Sequence, residues 1–408
     1  MNASGLILDK ARYALAGTHR WQSLRLLLLS AVLLGLVQAK NAVAGNGVDD
    51  DAIVLGQSAA FNGPAASLGI AFRDGLTAAF YEINRKGGVH GRQLHLVSYD
   101  DGYEPEQTIG NIHRLIGQDD VFALIGGVGT PTSRAAQPIA EKNKIPFVGA
   151  FTGAAFLRNP DLKTVVNIRA SYDQEAEALV DYLTGDLDLQ KIAVLYQDDT
   201  FGRAGLDGVR AALERRQMEL VANGTYMRNT TAVKRALLTI RKADPQAVII
   251  VGAYKPAAAF IKTANSIGFD AVFAALSFVG SSALAEELAD TDDTVLVSQV
   301  VPMFDDDTLP LIANFRSALQ TSAPDAEPGF VALEGYLAGR LMGEALEMLG
   351  TSPTREAFLE LFGTSNTFDI DGLRLTYGPE DNQGSDRVYL TAIHGDGKIV
   401  EVGRKGEE

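Results

Sequence analysis

Cysteine is absent from all 408 residues. That one absence removes a disulfide framework, thiolate-built zinc sites, a thiol nucleophile and a lipid-modified cysteine anchor together. Histidine is scarce: His19, His90, His95, His113 and His394 are scattered, and none makes an H-E-x-x-H or comparable ligand spacing. Basic charge is in deficit, with 36 Lys and Arg against 51 Asp and Glu for a formal net charge of −15. Such a balance argues against nucleic acid as a partner. It does not exclude an anionic ligand, because local N–H groups, not net charge, hold an anion.

Catalytic signatures are missing as well. There is no G-x-x-x-x-G-K-[ST] and no G-x-S-x-G. Gly126–Thr132 reads G-G-V-G-T-P-T, lacks the third glycine of a dinucleotide loop, and follows the third expected strand instead of the first. A NAD-type dehydrogenase is therefore the weakest reading, and the chain is expected to be neither an enzyme nor a holder of a cofactor or metal.

Long apolar runs are confined to Leu26–Val37, which is shorter than the ~20 residues a spanning helix needs. Arg12, His19, Arg20 and Arg25 precede it, and small residues follow in Val37-Gln38-Ala39 and Ala42-Val43-Ala44. A positive flank, a short apolar run and an A-x-A-type site make residues 1–44 a secretory signal, cleaved after Ala44 or Ala39. An uncleaved signal anchor is the alternative. The mature protein is expected to be soluble and exported.

What remains is an ordinary globular composition, 46% hydrophobic and 21% charged, in a chain long enough for about two to three domains. From Asp51 onward strands and helices alternate, which implies α/β with parallel sheets. The helix expected over Ala66–Arg85 puts Phe72, Leu76, Phe80 and Ile83 on one face. After the expected strand Gln93–Tyr99, Asp100 and Asp101 read as a solvated loop capping the next helix in preference to a metal or acid/base pair. A second βα series starts at Lys191, with a polar loop over Gln197–Gly202 and helices expected at Arg203–Arg216 and Pro256–Ile267. Helices Leu309–Leu319, Phe330–Leu349 and Thr354–Leu361 and a β tail then follow, so the chain crosses back between two lobes.

The pattern is centred on Val121–Arg158. The runs Val121–Ile125 and Ile145–Val148 are too short for helices and read as buried parallel strands. The first empties into Gly126–Ser133, where Thr130 is placed to cap a helix with Pro131 in its first turn. The second empties into Gly149–Gly153, with Thr152 as its hydroxyl. Ligands of an open parallel sheet bind outside the carboxyl ends of its strands, so two adjacent hydroxyl loops suggest a seat for a small carboxylate.

Leu55–Gly69 (LGQSAAFNGPAASLG), Glu82–Gly91, Tyr99-Asp100-Asp101, Ile125–Ser133 and Tyr196–Gly205 together resemble the leucine/isoleucine/valine-binding family of type I periplasmic solute-binding proteins. The resemblance runs over about Ala52–Val402. It implies two Rossmann-like lobes joined by three crossovers, lobe 1 from 51–170 plus 298–385 and lobe 2 from 171–297 plus 386–403. Hinge motion falls near Ala170–Ser171, Val297–Gln299 and Gly384–Arg387. A monomer is expected to close on a small ligand and deliver it to ABC permease subunits, or to present it to a membrane sensor.

The family's carboxylate-binding hydroxyls fall on Thr130 and Thr152, with a backbone group of Ala150 between them. Its aromatic walls fall on Phe201, Tyr254 and Phe330, and Leu68 stands where an aromatic is common. Ser277 stands where amino-acid-binding members supply an acid to the ligand's ammonium. That departure favours a carboxylate without an amine, unless Glu334, Asp198 or Asp199 supplies the charge. Tyr103 and Gly129 occupy the positions of a disulfide found in some members.

Overall fold

The computed structural model describes residues 46–403 apart from 290 and 292. The expected secretory segment at 1–44 lies outside the described residues.

Short apolar runs alternating with amphipathic stretches give β1 (Ala52–Ala59), α1 (Ala66–Arg85), β2 (Gln93–Asp100), α2 (Pro105–Gly117), β3 (Ala123–Ile125), α3 (Thr130–Lys142), β4 (Phe147–Val148) and β5 (Val165–Val166). These strands form a parallel sheet in the order β2-β1-β3-β4-β5. Every residue of β3 and β4 is buried, as in strands covered on both faces.

A second series follows: α4 (Tyr172–Asp181), β6 (Ile192–Gln197), α5 (Thr200–Glu214), β7 (Ala222–Tyr226), α6 (Lys234–Arg241), β8 (Ala247–Val251), α7 (Tyr254–Ser266), β9 (Val272–Ala275), α8 (Ser281–Leu288) and β10 (Val295–Gln299). The chain then forms α9 (Pro310–Ser322), α10 (Phe330–Met348), α11 (Arg355–Gly363) and the hairpin β11 (Asn366–Ile370) and β12 (Leu373–Tyr377). It ends in β13 (Tyr389–Ile393) and β14 (Ile399–Glu401). The second sheet has the order β14-β13-β10-β9-β8-β6-β7, with β13 antiparallel to both β10 and β14.

Although it comes late in sequence, α10 packs on α1 of the first series. The contact is between backbones: a Cβ on Gly75 would lie 1.9 Å from the Ala332 carbonyl oxygen, and one on Gly335 2.1 Å from that of Phe72. Two passages between the sheets are tied together. Asn167 N donates to Asn382 O at 2.8 Å, and Gly384 N donates to Asn167 O at 3.0 Å. Arg158 Nε adds a bond to Gln383 Oε1 at 2.8 Å.

The structure differs from the sequence reading at several points. Asp101 is no solvated cap: it is buried, accepts from Ser58 Oγ at 2.8 Å, Thr108 Oγ1 at 3.0 Å and Tyr103 N at 3.0 Å, and fastens the turn to β1. Burial outweighs these bonds and pushes its carboxyl up to about 6. The part of the loop expected over Gln197–Gly202 that follows Asp199 is helix, because the Asp199 carboxylate caps the N–H groups of Phe201 and Gly202. Helix α7 likewise begins at Tyr254 instead of Pro256. Val297–Gln299 belongs to β10 and pairs with Thr391–Tyr389, so that passage between sheets begins after the strand.

Candidate functional site

Two glycine-bearing turns at neighbouring strand ends bring the hydroxyls together. Gly129 stands at φ +100 with the Tyr103 ring 2.1 Å from where a Cβ would be, so this turn admits no side chain. Gly129, not Thr130, is the N-cap of α3, and no side chain caps that helix. Thr130 is thereby the first helical residue, and its Oγ1 lies 2.7 Å from Thr152 Oγ1. Both residues are buried. Thr152 Oγ1 also accepts from Ala154 N at 3.2 Å, and the Ala150 carbonyl accepts from Thr152 N at 2.8 Å. In the hydroxyl pair one O–H is spent on the other oxygen, so an arriving carboxylate finds one free donor, and two once the bond within the pair is exchanged for bonds to the ligand.

An aromatic seam adjoins the pair. Phe151 of the first series stacks on Phe278, just after β9, with centroids 5.2 Å apart. Phe278 meets Phe201, from the first turn of α5, at 4.5 Å, and Tyr103, after β2, at 5.9 Å. Tyr172 packs on Phe201 at 5.4 Å. Its hydroxyl is buried beside the Thr152 hydroxyl and the Gly153 backbone.

Charge enters the same cluster through Arg169, which follows β5 and sits 5.0 Å above the Phe151 ring. Its Nη2 donates to Glu175 Oε1 at 2.8 Å and to Ser277 Oγ. Its Nη1 is 3.3 Å from Glu334 Oε2 in an ion pair. The other Glu175 oxygen accepts from Ser277 N at 2.9 Å and Ser298 Oγ at 2.7 Å. Burial opposes the Arg169 charge, but Glu334 and Glu175 outweigh it and hold the guanidinium above its ordinary range. Burial pushes Glu334 up to about 7, with Arg169 pulling against it and Glu175 adding to it. Arg158, beneath the Thr152 loop, donates through Nη1 to Thr152 O at 3.0 Å and through Nη2 to Arg169 O at 3.1 Å. Burial and then Arg169 lower it to about 9.

Towards the surface the two series are clasped. Arg228, after β7, reaches Glu104 at 2.6 Å and Asp199 at 3.2 Å, and Asn229 Nδ2 donates to Glu104 Oε1 at 2.7 Å. The Tyr254 hydroxyl accepts from Ser67 N at 3.3 Å. Leu68 and Phe330 line a cavity of about 280 Å3 between α1, α8 and the start of α10.

Thus Thr130 and Thr152 meet directly, Ala150 supports the turn, and Phe201 and Ser277 flank the same cluster. Tyr254 lies at the clasp, and Leu68 and Phe330 stand at the cavity. Sequence reasoning did not single out Arg169, Glu175, Phe151 or Phe278. The rule that chose the threonines, chemistry just past a strand's carboxyl end, applies equally to Arg169 after β5. Among the described residues no group of three or more His, Cys, Asp or Glu is arranged to hold a metal, and no helix is long and apolar enough to cross a membrane.

Two α/β series with helices crossing back and a polar cluster at the facing sheet ends define a two-lobed binding protein of the type I periplasmic class. The chain belongs to the periplasmic binding protein family, whose sequence model matches residues 52–398. A crystal structure described as a possible leucine/isoleucine/valine-binding protein from Rhodopirellula baltica SH 1 is 38% identical. It superposes with a TM-score of 0.81 over 89% of this chain and 98% of that one. An amino acid binding protein of Pseudomonas aeruginosa is 24% identical over 54% of this chain and 59% of its own. A Leu/Ile/Val-binding protein homolog 7 of Brucella abortus is 27% identical over 53% of this chain and 56% of its own. The chain thus spans less than two thirds of those two relatives' length.

Proposed function

We propose that this chain is the extracytoplasmic solute-binding protein of an ABC importer. It closes over a small carboxylate-bearing ligand, a branched-chain amino acid or a related organic or aromatic acid, in the cleft between its lobes. The observation that carries the reading is the buried Thr130–Thr152 hydroxyl pair at 2.7 Å, beside an aromatic seam built from both series. The hydroxyls take the carboxylate, and Phe201, Phe278 and Tyr254 close over its apolar part. The relatives' names, Leu/Ile/Val-binding and amino acid binding, support a ligand of this size and charge.

The lobes follow the two sheets, 51–170 plus 300–385 and 171–299 plus 386–403, with Ser298 and Gln299 moved to the second because they belong to β10, and they open about the passages between the sheets. The Arg228–Glu104 clasp holds the closed state. The protein works as a monomer in the periplasm, without catalysis or cofactor, and its closed form is what the permease meets. Isothermal titration of the purified chain against branched-chain amino acids and small aliphatic and aromatic acids tests this. Binding with a 1:1 stoichiometry is expected, and no heat from any of them defeats the reading.

A further inference from the structure

The ring of Phe278 joins the two hydroxyl-bearing turns. It stacks on Phe151, the residue before Thr152, at 5.2 Å, and meets Tyr103 at 5.9 Å. Tyr103 in turn fills the place that a side chain on Gly129, the residue before Thr130, would take. The turns are hydrogen-bonded to each other, Gly129 N to Phe151 O at 3.1 Å and Phe151 N to Gly127 O at 2.8 Å, so both rings are set beside the hydroxyls. On its other side Phe278 meets Phe201 at 4.5 Å. Phe151, Phe201 and Phe278 are fully buried, and Tyr103 nearly so. Centroids 4.5–5.9 Å apart mean direct ring contact, with no space for a methylene between neighbours.

The ring is also held where it stands. Phe278 sits on the single turn Ser277–Val279, which Gly280 closes at φ +77. At one end Ser277 N donates to Glu175 Oε2 at 2.9 Å, and Ser277 Oγ accepts from Arg169. At the other, Gly280 lies against Leu68 of α1, whose Cδ2 would be 2.4 Å from a Cβ placed there. Withdrawing the ring breaks buried polar bonds at Ser277 or lifts the turn off α1, and an apolar ligand restores neither. Phe151 is fixed by its bonds across the turns and Phe201 by the Asp199 cap, so the neighbouring rings do not make way instead.

We infer that Phe278 determines the size of the ligand: its ring holds the space that a long side chain needs, so the cleft favours a short acid over a branched or aromatic one. This rests on the carboxylate seat proposed above and narrows its ligand to the short end of that range.

The test titrates two homologous series into the purified protein: propanoate, butanoate, hexanoate and 3-phenylpropanoate, and alanine, 2-aminobutanoate, leucine and phenylalanine. Running both makes the result independent of the ammonium. In whichever series binds, the shortest member is expected to bind wild type ~10-fold or more tightly than the longest. Phe278→Ala opens the space of the ring, and each methylene that enters it is worth about 4-fold in affinity, so the long-to-short affinity ratio rises by ~10–100-fold. A ring that only held the lobes together would change every affinity alike and leave this ratio where it was. Should Phe278→Ala fail to fold, Phe278→Leu shifts the ratio in the same direction by less, and the wild-type order still decides. Leucine or hexanoate binding wild type more tightly than alanine or propanoate overturns the size limit while leaving the carboxylate seat standing. An unchanged ratio in the variant overturns the role of Phe278. If no member of either series binds, the carboxylate reading itself has failed and this inference with it.

Discussion

Phe151 and Phe278 stack across the seam between the two series with ring centroids 5.2 Å apart and planes inclined by 28°. The two rings reach each other because each lies three residues past the end of a strand, β4 in one sheet and β9 in the other. Both are fully buried and both touch a third ring, Phe72 for one and Phe201 for the other. Phe278→Ala removes the ring that meets Phe151, Phe201 and Tyr103. It is expected to lower the unfolding free energy by about 3–5 kcal/mol. The same change loosens the lobes, so the radius of gyration measured by small-angle X-ray scattering rises. A variant with unchanged urea midpoint and unchanged scattering would show that the seam holds nothing together.

The hydroxyl pair separates stability from binding. Thr130→Val leaves the Thr152 hydroxyl buried with one partner fewer, and Thr152→Val does the same to Thr130. Each single variant is expected to lose about 1 kcal/mol of stability. Replacing both by valine removes the two hydroxyls together and restores part of that loss, because only the Ala154 N–H, which donates to Thr152 Oγ1, is then left unpaired. Carboxylate affinity behaves otherwise: each single variant weakens it by ~10–100-fold, and the double variant is weakest of all. Urea melts and titrations on the same three variants check this. A double variant that binds as well as wild type would remove the threonines from the site.

Much of the architecture is legible in the sequence, for reasons that lie in particular residues. Short β-branched runs such as Ala247–Val251 stay strands because each residue is buried, and Ala66–Arg85 carries its apolar face at helical spacing. The threonines are legible because two such turns follow neighbouring strands at their carboxyl ends, where an open parallel sheet binds its ligands; either turn alone reads as a helix cap. Arg169, Glu175 and Glu334 are different: Glu334 lies far from the other two in sequence, and Ser277 and Ser298, which complete the cluster, do too, so it acquires meaning only when the first passage, α4, β10 and α10 converge. The helix α8 and strand β11 escape a periodicity reading because eight and five residues hold too few turns or alternations to show a period. Asp101 misleads in the other direction. An acid in a Gly-containing turn normally faces water, and here Ser58, Thr108 and Tyr103 N draw it inward.

The α1–α10 crossing depends on missing side chains. Gly75→Ala would put a methyl group 1.9 Å from the Ala332 carbonyl oxygen, and neither helix backbone can yield without moving its whole face. Overpacking of this kind costs about 1–3 kcal/mol or more, against the small gain alanine normally brings to a helix interior. Gly350→Ala is no fair control because Gly350 stands at φ +73, whereas Gly110, in α2 with open space around it, is. Gly110→Ala is expected to stabilise slightly and Gly75→Ala to destabilise clearly in parallel thermal melts. Equal effects at both sites would mean that the helices have room to separate.

Two buried carboxyls set the pH dependence of folding. Glu334 is pushed up to about 7 and Asp101 to about 6, in each case by burial first. Because both are raised above their unfolded values, the folded state holds more protons than the unfolded chain between about pH 4 and 7. Stability from these two groups is therefore full below about pH 4 and lost as pH rises through 6 and 7, the opposite of a salt-bridged surface acid. Each contributes on the order of 3 kcal/mol between those limits. In Glu334→Gln the Glu334 part of this loss disappears: the variant melts like wild type near pH 5, where the carboxyl is already neutral, and above wild type at pH 8. If instead the variant melts lower at pH 8, attraction to Arg169 outweighs the burial of Glu334, and the order of those two effects must be reversed.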